Sequence, residues 1–250
     1  MDHVPPARQH DADADPSGAG RARSGRLRSG LFLGLCLALA AGFATLGVWQ
    51  VERLGWKRNL IETVNARLVA PPVAPPPGDR WSPDQAYTRV TVDGVFLKDR
   101  STPVQALTER GAGWWLMTPL RTDAGIILVN RGFVPTKDWR DADPMPRRVS
   151  VVGLLRADEP GGGFLRANAP ADGRWYSRDI KAIARAQDLV DPVAPYFIDA
   201  AASGSSTGPV AGLTVVRFSN NHLSYALTWF ALCGLSLAGA GIVLRHGRKR

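Results

Sequence analysis

At 250 residues and a formal net charge of +9, the chain is long enough for one globular domain plus anchors. Residues 50–220 hold 22 Lys and Arg against 18 Asp and Glu, so the middle carries only +4 with no basic stripe, which excludes nucleic acid as a partner. The two cysteines, Cys36 and Cys233, both lie in apolar runs; they read as packing residues, which excludes a disulfide scaffold or a thiol metal site.

Residues 1–30 are rich in Ala, Asp, Gly, Ser and Arg and read as a disordered cytoplasmic tail. Asp11, Asp13 and Asp15 argue against a mitochondrial transit peptide, which is poor in acids, and point to a bacterial inner (plasma) membrane. Residues 31–49 carry no charge and form the first expected span. Ala38-Leu39-Ala40 imitates a cleavage site, but the apolar run continues to Trp49, past the roughly 7–15 residues of a signal core, so the helix reads as uncleaved. Residues 223–244 form the second span, again without a charged side chain. Arg21, Arg23, Arg26 and Arg28 precede the first run, and residues 245–250 form a basic tail after the second. The positive-inside rule then places both termini in the cytoplasm and residues 50–222 in the periplasm, with the lipid bilayer as the first partner.

After Trp49 a helix is expected over 50–68, because Leu54, Ile61, Val64 and Leu68 share one face. Trp49 and Trp56 suit the headgroup layer. Residues 69–83 are a Pro-rich linker. The period then changes to two, and 84–218 reads as a β-rich core. Strands are expected at Arg89–Phe96, Val104–Thr108, Trp114–Leu120, Ile126–Val129, Val149–Leu155 and Leu213–Phe218, with one short helix at Asp179–Leu189. Connections too short for βαβ crossovers make the sheet mostly antiparallel, and a barrel or sandwich would remove its edges. The fold class is a membrane protein of α+β type, two transmembrane helices flanking that extracytoplasmic domain.

Catalytic templates are absent: no G-x-S-x-G, no phosphate loop, and no histidine between residues 11 and 221. Asp138, Asp141 and Asp143 read as a solvated loop, and Arg131-Gly132 as a strand end. The second span is different. His222, Tyr225, Ala226 and Trp229 fall at i, i+3, i+4 and i+7, one helical stripe. An imidazole with aromatics beneath it suits a haem, with His222 as the iron ligand. Asn220, Asn221 and Arg217 offer donors for propionates, and in an antiparallel hairpin Trp49, Gln50 and Arg53 arrive at the same depth. Ordinary interfacial anchoring explains the same aromatics.

Four stretches resemble a known family. They are Leu46-Gly47-Val48-Trp49-Gln50-Val51-Glu52-Arg53-Leu54-Gly55-Trp56-Lys57, the run from Gly113 to Leu120 with its Thr118-Pro119-Leu120, Val129-Asn130-Arg131-Gly132-Phe133-Val134-Pro135, and Asn220 to Phe230. In this order between two helices they are similar to the surfeit-locus (Surf1/Shy1-like) family of cytochrome c oxidase assembly factors. Arg174-Trp175-Tyr176-Ser177-Arg178-Asp179 departs from it, since the family has a second aromatic where Ser177 stands. The resemblance implies a non-enzymatic factor that helps haem a enter subunit I. It implies haem a held by the second-helix histidine, here His222, and as partners oxidase subunit I and the haem a synthesis enzymes. The alternative is a membrane scaffold that binds no haem and stabilises assembly intermediates or another envelope complex.

Overall fold

The computed structural model describes residues 17–139, 147–163, 165–202, 208–213 and 218–247, with backbone alone over 17–26. Arg217, Asp141, Asp143, most of the expected strand at Leu213–Phe218 and the loop at Ser203–Ser206 lie outside the described residues. Two units are present: one draws on residues up to Arg58 and from Ser219 onward, the other is Asn59–Phe218.

A single helix, α1 (Ser17–Val69), contains the first apolar run and the stretch expected to be a separate helix over 50–68. It begins inside the region expected to be disordered. No proline interrupts it, and Pro71-Pro72 forbid its continuation just beyond Val69. The last helix of the chain, α3, is His222–Gly247. Both have windows long and apolar enough to cross a membrane, with mean hydropathies of 2.2 and 1.9. Their large apolar side chains, among them Leu31, Leu35, Leu227 and Leu235, are mostly exposed, as a lipid-facing surface requires.

Within the first unit the helices run antiparallel. Phe43 stacks on Trp229 with ring centroids 5.7 Å apart. A Cβ on Gly47 would lie 2.6 Å from the Phe230 ring, and one on Gly239 would lie 3.5 Å from the Cys36 sulfur. Gly234 and Gly241, although small and on the same helix, have no atom within 4 Å of a Cβ position. The approach falls instead at Gly47, Gly239 and the buried Ala226 and Ala240. Both cysteines are free thiols, as expected.

The second unit is built on β1 (Arg89–Phe96), β2 (Thr102–Thr108), β3 (Gly111–Thr122), β4 (Gly125–Val134) and β5 (Arg148–Ala157). A small hairpin, β6 (Gly162–Gly163) and β7 (Arg166–Ala167), a helix α2 (Ile180–Ala186) and a strand β8 (Val193–Ala200) follow. Strands pair in the order β1-β5-β8-β4-β3, and β3 meets β1 again, so the sheet closes into a five-stranded barrel with β2 on the outer edge of β3. All pairs are antiparallel except β4 with β8. The long excursion through β5, the hairpin and α2 lets β8 return alongside β4 in the same direction.

Alternation sorts the side chains. Val90, Leu120, Ile127, Val129, Val151, Leu155, Tyr196 and Ile198 fill the barrel. Leu128 and Phe197, one residue out of phase, pack outside against Met117, Trp175, Ile180 and Ile183. Helix α2 opens on Asp179, whose carboxylate accepts from the Ala182 amide at 2.9 Å. The family landmarks are barrel parts. Pro119 sits where β3 stops pairing with β2 at Met117 and starts pairing with β1 at Leu120, a gap that needs no amide proton. Gly132, at φ +127°, lets Val210 approach to where a Cβ would be 2.4 Å away.

Candidate functional site

The two sequence stretches expected to form the site meet at one point. His222, the first residue of α3, puts its Nδ1 2.7 Å from the Oε1 of Gln50 on α1. The glutamine is buried and the imidazole half-buried. An amide oxygen accepts, so Nδ1 carries a proton, and in the neutral imidazole Nε2 is then the nitrogen with the free lone pair. Among the described residues Nε2 makes no hydrogen bond. A histidine fixed by a bond at one nitrogen with the other open is the arrangement found at metal-ligating histidines.

Below His222 the helices close. Ala226 is buried, Trp229 is half-buried against Phe43, and Phe230 nests over Gly47. The hairpin is therefore packed, with no slot between the helices at Gly47. Of the expected residues, Gln50, His222 and Trp229 lie in the packed seam. Tyr225 does not; it is 56% exposed, and Trp49 is 49% exposed. Arg53 lays its guanidinium 4.5 Å above the Trp56 ring, one turn further along α1. At about 100° per residue, Arg53 stands roughly 60° behind Gln50, and Tyr225 roughly 60° behind His222. Equal rotations on antiparallel helices fall on the same side, so Arg53 and Tyr225 share one flank of the hairpin, with Trp49 further round. Asn220 has a buried amide oxygen without a partner among the described residues, two positions before His222.

Phe43 and Gly47 were not singled out by sequence reasoning, although 43, 47, 50 and 54 follow helical spacing and trace the face of α1 that meets α3. A second group was also missed. Asp199, 2% exposed, accepts from Asn130 Nδ2 at 2.9 Å and Arg156 Nη1 at 2.6 Å, and pairs with Arg178 at 3.3 Å. Arg178 also pairs with Glu159. Burial works to lower the Arg178 pKa, but Glu159 and Asp199 outweigh it and hold the guanidinium above its ordinary value. Ser177, the departure from the family pattern, is buried and accepts from Asn168 Nδ2 at 3.0 Å. A short polar loop stands where the resemblance implies an aromatic.

Comparison with known proteins agrees with the landmarks. The profile of the SURF1 family matches residues 37–234. Surfeit locus protein 1 of Homo sapiens is 34% identical over 75% of this chain and 69% of its own length. Its counterpart in Mus musculus is 34% identical over 81% of this chain and 71% of its own. A SURF1-like protein of Monosiga brevicollis is 33% identical over 82% of this chain and 84% of its own. With the profile covering both helix ends and the barrel between them, the chain belongs to the SURF1 family, the surfeit-locus family of cytochrome c oxidase assembly factors.

Proposed function

We propose that this protein assists the insertion of haem a into subunit I of cytochrome c oxidase and holds the haem through His222. The observation that carries this reading is the bond between Gln50 and His222. It fixes the imidazole with Nε2 open, which is the donor a haem iron takes. Haem a, when bound, supplies the iron and a large apolar plate with two carboxylates. Tyr225 and Trp49 offer exposed aromatic surface for the plate, and Arg53 a cation for a carboxylate on the flank it shares with Tyr225. Trp229 supports the site from within the seam by packing on Phe43. The site belongs at the periplasmic edge of a bacterial inner membrane, with both termini cytoplasmic. The partners are oxidase subunit I and the enzymes that make haem a, and the protein itself performs no chemical step.

Complementation tests the role. In a strain lacking this protein, membranes should hold subunit I with a depressed haem a content. The full chain should restore that content, and His222→Ala should not. Full restoration by His222→Ala would remove the histidine from the function.

A further inference from the structure

A cavity of about 440 Å³ opens on the barrel beside the β2–β3 hairpin, lined by Leu107, Thr108, Trp115, Arg156, Arg178 and Leu213, with Glu109 at its rim. Three features around it point the same way. The first is a strand edge. Gln105 donates its amide to Trp175 at 2.8 Å, so its backbone faces away from β3, and Leu107, two residues on, faces the same way. Among the described residues the Leu107 backbone has no partner on that side, and its side chain is 86% exposed. Pro103 blunts the opposite end of the same edge.

The second feature is a half-used guanidinium. Arg156 gives Nη1 to Asp199 at 2.6 Å, and its Nη2 lies 3.9 Å from Glu159. Among the described residues Nε and Nη2 donate no hydrogen bond, which leaves the side-on edge of the guanidinium, the edge that grips a carboxylate with two bonds. The third is a costly knob. Leu165 stands at φ +58° and is 88% exposed in the β6–β7 turn, and the next residue, Arg166, reaches Gln105 of β2 at 3.4 Å. A branched apolar side chain in left-handed backbone costs strain, and its exposure gains nothing for folding.

We propose that the open end of β2 and the cavity beside it form a docking groove for an extended, apolar segment of a partner protein that carries a carboxylate. The segment adds backbone hydrogen bonds at Leu107, places an apolar side chain against Trp115 and Leu213, and sets its carboxylate on Arg156. This surface is independent of haem binding.

The test uses detergent-purified full chain and a fluorescent pentapeptide of alternating Thr and Val, with a free or an amidated C-terminus, read by anisotropy. The free carboxylate should bind about tenfold tighter than the amide, as a charge-assisted bidentate pair implies. Leu107→Pro deletes the edge N–H at a position where a strand edge tolerates proline, and should weaken binding about tenfold. Leu107→Ala keeps the N–H and should stay within about threefold of the wild type, which separates a lost hydrogen bond from a disturbed fold. Glu109→Gln should tighten binding. The proposal is overturned if neither peptide binds, or if Leu107→Pro binds as the wild type does. Carboxylate preference without a Leu107→Pro effect would reduce the groove to a small-anion site and overturn strand docking.

Discussion

Asp199 shows how much one side chain can carry. It is almost fully buried, takes two guanidinium groups and the Asn130 amide, and thereby ties β8 to β4, β5 and the segment before α2. Neutralising it leaves Arg156 and Arg178 paired, among the described residues, with Glu159 alone. Removing one member of a buried ion network costs about 3–5 kcal/mol, because the remaining charges stay desolvated. Asp199→Asn should therefore lower the melting temperature of the purified chain by about 10 °C, followed by tryptophan fluorescence. A change of under a degree or two would show the network to be well solvated. None of this was legible in the sequence, where Asp199 is one acid among many and its partners stand 21 to 69 residues away. His222 was legible, because it is the only histidine between two tails.

At the scale of elements, both spans, four of the five barrel strands and the edge strand β2 were readable from periodicity, while β8 was not. Pro192 and Pro195 make Val193–Ala200 look like a loop. In the structure the register of β4 against β8 shifts between Ile126 and Leu128, and β5 pairs with β8 only from Tyr196 onward. Pro195 falls in the irregular stretch, where a missing amide proton costs little. Helix contacts were not readable for a related reason: small residues are common in apolar runs, and spacing alone does not say which of them face a neighbour. Gly47 is the one that Phe230 requires. Gly47→Val should push the helices apart. In membranes, Gly239→Cys should form a disulfide with Cys36 under mild oxidation, and adding Gly47→Val should reduce its yield several-fold. An unchanged yield would mean the hairpin does not depend on that contact.

For the whole molecule, an anchor at each end and a strand domain between them could be read from charge and hydropathy alone. A barrel was one of the two closures expected, and the choice of barrel over sandwich was not legible, because closure depends on the single short meeting of β1 with β3 at Val95 and Phe96. The flanking arginines predict an orientation with both termini inside. Alkaline phosphatase fused after Leu120 should be active and fused after Arg250 inactive, and the reverse pattern would invert the protein in the membrane. The helices are packed below His222, so a plate would rest on the hairpin's flank and not between its helices.

The most direct measurement is the haem a content of the protein purified after co-expression with the haem a synthesis enzymes. The wild type should carry haem a with a spectrum of histidine ligation, His222→Ala should lose it, and Gln50→Leu should keep less haem because the imidazole is no longer fixed by its Nδ1 bond. Arg53→Ala should weaken retention while leaving the ligation spectrum as it was. Equal haem content in the wild type and His222→Ala would contradict the account.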